Sequence, residues 1–192
     1  MWKVILYMNT ATVAAFMMVC VIAPWGAAAL ENRTRELIPK LTRWLLVACL
    51  FLIFAATLTP TQSLNSGGPR FISWVPGQGL WDDGFHSMGA MEHEMALRLQ
   101  LANSLMFVPF GILLTFVTRQ PRLGRSVALC LTLSVMIEAT QYAMNAGRTA
   151  DIDDVMFNTL GGLLGSVLAF IPRYVLRSPR GDRQLKPLAD HV

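Results

Sequence analysis

Among the 192 residues, one acidic side chain stands deep inside an uncharged stretch: Glu138, in a run that is otherwise free of Asp, Glu, Lys and Arg from Ser126 to Gly147. A carboxyl in such surroundings can serve as a proton donor or acceptor, because desolvation raises its pKa, or as an oxygen ligand for a hard cation. On a helix, Ser134, Gln141, Tyr142 and Asn145 share its face at i−4, i+3, i+4 and i+7. Ten residues further on comes the densest charged segment of the chain, Arg148-Thr-Ala-Asp151-Ile-Asp153-Asp154-Val-Met-Phe-Asn158. Asp151, Asp154 and Asn158 follow i, i+3, i+7 and are expected on one face, with Asp153 pointing elsewhere. The same face continues into Gly161, Gly165 and Ala169, beside Gly162 and Ser166, and small residues at this spacing let another helix approach closely. Capping of a helix N-terminus would account for one of the aspartates but not for the whole group.

The elements that position these groups follow from composition. With 54% hydrophobic and 15% charged residues, the chain departs from an average soluble domain, in which about 25% of residues are charged. Disorder, a secreted disulfide scaffold and a conventional cytosolic enzyme are excluded by that balance. A spanning helix needs about 20 mostly apolar residues. Charge-free windows predict five, near Val4–Pro24, Trp44–Thr59, Leu99–Val117, Ser126–Met144 and Val155–Tyr174. Their continuous apolarity, without alternation at period two, excludes a β-barrel. The fold class expected is all-α, a polytopic membrane helix bundle of about five transmembrane helices.

Twelve of the 16 bases fall between spans 1 and 2, between spans 3 and 4, or in the tail, which predicts the N-terminus outside and the C-terminus inside. Lys3, the apolar run and Ala27-Ala28-Ala29 resemble a signal peptide, but the run is too long, so the first span is expected to be retained. The net charge of +4 then lies on the inner face, opposite anionic lipid rather than nucleic acid. Four parts are expected: residues 1–60, two transmembrane helices with a basic cytoplasmic loop; 61–98, an extracytoplasmic loop; 99–176, a core of three transmembrane helices; and 177–192, a basic cytoplasmic tail. The loop holds turn signals at Ser66–Pro69 and Pro76–Gly79, with Phe71, Ile72, Trp74, Leu80 and Trp81 around them, so it either dips into the membrane interface or folds over the bundle. Span 3 brings Asn103, about one turn from its outer end, and a proline, Pro109.

Other reactive side chains read as structural. Cys20, Cys49 and Cys130 lack paired spacing and are expected to pack. His86 and His93 lack the HxxxH spacing of a zinc helix and fit a solvated or interfacial helix leading into span 3, while His191 lies in the tail. The methionines suit adaptable packing.

Three elements carry a resemblance: Asn103-Ser-Leu-Met-Phe-Val-Pro109-Phe-Gly111, then Glu138-Ala-Thr-Gln141, then Arg148 followed by Asp151-Ile-Asp153-Asp154-Val-Met-Phe-Asn158-Thr-Leu-Gly161. In order and spacing they resemble the VanZ-like family, named for a protein associated with resistance to the glycopeptide teicoplanin. The resemblance covers about residues 99–170. It implies a multi-pass protein of the bacterial cytoplasmic membrane acting near the cell envelope, and it brings no established biochemical activity.

The ligand-binding candidates are Asn103, Gln141, Arg148, Asp151, Asp154 and Asn158, with Glu138 the best catalytic candidate. Three readings stand open. In one, the cluster acts at the outer leaflet on a lipid-linked envelope precursor or on binding of teicoplanin-type glycopeptides. In another, a membrane enzyme handles a lipid-linked phosphate or pyrophosphate, by acid/base chemistry or with a divalent cation on Glu138, Asp151 and Asp154. In the last, the polar groups only bond one another between helices. No resident cofactor is expected beyond such a cation. The bilayer is the expected partner, and Gly161 and Gly165 can serve spans 3 and 4 or a second copy of the chain.

Overall fold

In a computed structural model, residues 10–31, 37–60, 62–65, 72–77, 89–118, 122–146 and 150–176 are described. Five long helices account for most of them: α1 (Thr10–Glu31), α2 (Leu37–Leu58), α3 (Ala90–Val117), α4 (Leu123–Met144) and α5 (Ile152–Val175). Two short strands, β1 (Ile72–Ser73) and β2 (Ala150–Asp151), pair in parallel, Ile72 with Ala150 and Ser73 with Asp151. Every helix is long and apolar enough to cross a bilayer, with mean hydropathy between 1.4 and 2.1 over its span. The all-α bundle of five spans is therefore the architecture observed.

The helices reach beyond the charge-free windows. α2 begins at Leu37 and takes in Lys40 and Arg43, and α3 begins at Ala90, nine residues before its expected start at Leu99. Absence of charge marks the part of a helix that lipid tolerates, whereas the helix itself continues into water. On the extra turns of α3, Glu94 and Arg98 form an exposed i,i+4 ion pair. His93 lies in the same turns, so the helix expected ahead of span 3 is continuous with it.

α3 is the centre of the bundle. Of its span 44% is buried, against 17% for α1 and for α2, and its most extensive contact is with α5. The two run parallel: going along both, Ser104 meets Gly161, Val108 meets Gly165, and Thr115 meets Arg173. A Cβ on Gly161 would stand 1.9 Å from the Ser104 carbonyl oxygen, and one on Gly165 the same 1.9 Å from that of Val108. Backbone thus rests on backbone, which only glycine permits. Gly111 of α3 answers from the other side, where a Cβ would stand 2.2 Å from the Gly162 carbonyl oxygen.

α4 packs antiparallel on α5, with Cys130 against Gly162 and Ser134 against Asn158. Ile53 of α2, Phe107, Phe110 and Leu114 of α3, and Cys130 and Ile137 of α4 form the main apolar cluster. Cys20 and Cys130 are buried, Cys49 is half-buried, and all three are free thiols used in packing. The lipid-facing residues of α1 and α2, among them Trp44, Phe51 and Leu52, are exposed in the isolated chain.

At one end of the bundle, the C-terminus of α3 is closed by Arg173. Its guanidinium donates to the carbonyls of Thr115 and Thr118, the latter at 2.8 Å, and lies 5.5 Å from the ring centre of Phe116. These are carbonyls for which a helix end has no further turn, and a cation there also meets the negative end of the dipole. The opposite end, where β1 and β2 pair, holds the polar residues.

Candidate functional site

The polar end is built around the start of α5. Asp151, in extended conformation, is the N-cap: its side chain accepts from the N–H of Asp153 at 3.0 Å. Asp153 and Asp154 occupy the first turn, where backbone N–H groups and the dipole favour negative charge. Burial pushes the Asp151 carboxyl above its ordinary value and the charge of Asp153 adds to the rise, while hydrogen bonds from the Asp153 N–H and the Ser73 side chain oppose it.

Each candidate from the other helices has a named partner here. Glu138 of α4, 7% exposed, accepts from the backbone N–H of Asp151 at 3.0 Å through Oε2. Asn103 of α3 donates from Nδ2 to Oδ1 of Asp154 at 2.8 Å. Asn158, one turn along α5, donates to Ser134 Oγ of α4 at 2.9 Å. Gln141, one turn along α4 from Glu138, donates to the Thr57 carbonyl of α2 at 2.9 Å and lines a small recess with Thr57, Thr59, Met144 and Ala146. Six of the seven site candidates thus meet at one end of the bundle, and Arg148 lies outside the described residues. So do His86, His191, Trp81, most of the loop's expected turn segments and the tail beyond Leu176.

One expectation is overturned. Asp153 does not stand apart from the site: it is 2% exposed, the most buried of the three aspartates, and accepts the Gly77 N–H at 2.8 Å on Oδ1 and 3.0 Å on Oδ2. Its cover comes from residues 72–77, which lie against this side of the first turn of α5, while Asp151 is a cap outside the helix and the register of the face starts only at Ile152. The shared face also divides: Asp154 turns to α3 and Asn158 to α4.

Asp153 and the β1–β2 pair fasten residues 72–77 onto the bundle end. Gly77 has φ 80°, a conformation glycine adopts freely, and this presents its N–H to the carboxylate. Trp74 and Val75 remain exposed on this strap, at 71% and 58%. The loop segment therefore folds over the bundle while still offering apolar side chains outward.

Gln100 was missed by sequence reasoning. It is 7% exposed on α3, one turn before Asn103 and Ser104, and its Oε1 has no hydrogen-bond partner among the described residues; the same holds for Oδ1 of Asn158, which is 2% exposed. The available signal was its i, i+4, i+8 register with Ser104 and Val108, the ridge that meets the glycines of α5. Among the described residues, no group of three or more His, Cys, Asp or Glu side chains converges as a metal site, and the Glu138, Asp151 and Asp154 carboxylates take the separate partners given above. Gly161 and Gly165 serve the contact with α3, the first of the two uses their spacing allowed.

Comparison with known proteins agrees with this region. Residues 42–173 match the VanZ/LLP1 family model. The chain is 34% identical over 86 residues to Protein VanZ of Enterococcus faecium, an alignment covering 45% of this chain and 53% of that relative, so it spans about half of the relative's length. No solved structure matches. With most of α2, all of α3 and α4, α5 as far as Arg173 and every described site residue inside the matched stretch, the chain belongs to the VanZ/LLP1 family.

Proposed function

We propose that this family member is a multi-pass protein of the bacterial cytoplasmic membrane, oriented with the N-terminus and the β1–β2 end outside, that acts at the outer leaflet on the cell envelope or on binding of teicoplanin-type glycopeptides. The observation that carries this reading is the convergence of Asn103, Glu138, Gln141, Asp154 and Asn158, from three separate helices, at one end of the bundle. Polar groups within spanning helices are costly and mark functional sites by default. Sidedness is supported by charge: the sequence that joins α1 to α2, that joins α3 to α4 and that follows α5 is basic, whereas β2 directly precedes the start of α5, at the other end of that helix.

In this role Asp153 and Asp151 hold the strap and the start of α5, while Glu138 both fixes α4 to the same cap and supplies the carboxylate charge on which the site acts. Asp154, Asn103 and Arg148 are the groups offered to a ligand, with the Arg148 guanidinium suited to a phosphate or carboxylate. The test is teicoplanin susceptibility of a sensitive bacterial host expressing the chain or its Glu138→Gln and Arg148→Ala variants. Resistance conferred by the parent and lost in the variants at equal protein level supports the reading. Equal resistance in all three contradicts it.

A further inference from the structure

Asp153 and the outward row of α5 fall on one line. Met156, Leu160, Leu164 and Ile171 are exposed along the helix. They follow Asp153 by 3, 7, 11 and 18 residues, which at 3.6 residues per turn sets all four within about 60° of its direction. In a helix long enough to cross a bilayer, with α3 and α4 packed on its other sides, such a row faces lipid. A carboxylate at the head of that row is costly to leave against acyl chains. Asp153 is nevertheless 2% exposed, and residues 72–77 lie over it, with the Gly77 N–H shared between its two carboxylate oxygens. The strap therefore sits on the lipid side of α5.

Depth follows from the parallel pair. Ser104 of α3 rests on Gly161 of α5, and Arg98 precedes the first by the same six residues by which Val155 precedes the second. The exposed Glu94–Arg98 ion pair thus stands level with the first turn of α5 and beyond it, where water or headgroups reach both charges. Ser73 pairs with Asp151, just ahead of that turn, so the next residue, Trp74, lies where apolar surroundings give way to polar ones.

The strap itself suits that level. Ile72-Ser-Trp-Val-Pro-Gly77 carries no charge, and Ile72, Trp74 and Val75 are exposed. Backbone donors are costly in lipid, but here Ile72 and Ser73 pair with β2, Pro76 has no N–H, and the Gly77 N–H is taken by Asp153. Tryptophan, an apolar ring with one N–H donor, is favoured at headgroup level.

From this placement we infer that residues 72–77 form a lipid-interaction surface: Trp74 and Val75 enter the boundary between headgroups and acyl chains, and the strap roofs Asp153 against lipid. The partner is the lipid surface rather than a second copy or another segment of this chain, because the strap continues the lipid-facing row of α5. The assignment needs the five spans but neither their sidedness nor the antibiotic reading, so it stands or fails separately from the proposed function.

The experiment uses the full chain in phosphatidylcholine nanodiscs holding one copy each, with Trp74 kept as the sole tryptophan by Trp2→Phe, Trp25→Phe, Trp44→Phe and Trp81→Phe. Its fluorescence is read with lipids brominated close to the headgroup, with lipids brominated near the chain ends, and with acrylamide in the buffer. The expected result is emission at shorter wavelength than in the unfolded chain, with quenching by the shallow bromines stronger than by the deep ones by about twofold. Acrylamide quenching is expected to fall severalfold below that of the unfolded chain. Should the four substitutions impair folding, the difference between the parent and Trp74→Phe carries the same readings. Acrylamide quenching equal to that of the unfolded chain, without quenching by bromine, places Trp74 in water and overturns the assignment. Shielding from all three quenchers places it under protein, and stronger quenching by the deep bromines places it inside the bilayer; either result overturns the assignment as well.

Discussion

Oε2 of Glu138 accepts the backbone N–H of Asp151 at 3.0 Å, so a carboxylate on α4 fixes the residue that caps α5. This single bond joins the most conspicuous intramembrane acid to the start of the charged segment. It also separates two roles that substitution can tell apart. Glutamine keeps an acceptor oxygen for the Asp151 N–H and removes only the charge, while alanine removes both. Glu138→Ala is expected to destabilise the protein by about 1–3 kcal/mol, the usual cost of orphaning a buried hydrogen-bonding group, and Glu138→Gln by much less. Thermal unfolding in detergent or nanodiscs measures the difference.

Asp153 should govern the strap rather than the bundle. Asp153→Ala leaves the Gly77 N–H without its acceptor, and bonds to charged groups are worth about 1.5–3 kcal/mol. The expected outcome is faster proteolysis and hydrogen exchange at residues 72–77 with the exchange of α3 and α5 preserved. Gly77→Ala acts on the same strap from its other end, through strain at φ 80°. Exchange uniformly raised across all five helices would show that Asp153 supports the core instead.

The glycine contacts predict a steep size dependence. Gly161→Ala and Gly165→Ala each bring a methyl carbon to within 1.9 Å of a carbonyl oxygen of α3 unless the helices move apart. Overpacking of this kind costs about 1–3 kcal/mol, and here the obstacle is backbone. Gly26→Ala and Gly124→Ala, where a Cβ meets nothing within 4 Å, are the matched controls and should leave the melting temperature unchanged or slightly higher. Equal effects at all four positions would remove the close approach from the account.

Asp151 gives a pH dependence with a definite sign. Its carboxyl titrates above its ordinary value of 3.8, chiefly through burial, so in the window between 3.8 and the raised value the folded state binds more protons than the unfolded. The contribution of this group to stability is present below that window and is lost as pH rises through it. Asp151→Asn retains a side-chain oxygen for the cap and does not titrate. The variant is expected to lose that downward slope in melting temperature, and a slope identical to the parent's would assign it to other carboxyls.

Much of the fold is legible in the sequence, since charge-free windows locate five spans and small-residue spacing identifies the face of α5 that packs. The helix ends are not, because Lys40 and Arg43 are carried on turns of α2 that composition assigns to a loop, and the outer helix expected around His93 and Glu94 runs through Arg98 into span 3 without a break. At the site, Asn103, Glu138, Gln141, Asp154 and Asn158 are readable as costly polar groups in apolar surroundings. Their pairing is not readable, because whether Asn158 meets α3 or α4 depends on a rotation about the α5 axis that periodicity leaves free. Asp153 shows the same limit more sharply: its role depends on Gly77, 76 residues away, in a loop whose path no local pattern sets.

Whether the polar end of α3, α4 and α5 acts on the envelope, beyond holding helices together, is decided by Glu138→Gln. The measurement is the teicoplanin minimum inhibitory concentration of a sensitive host, taken together with the melting temperature and membrane level of the expressed protein. The variant, folded and present like the parent, is expected no longer to raise the inhibitory concentration. A variant that protects as well as the parent, or one whose loss of protection only tracks its loss of stability, would contradict an action on the envelope.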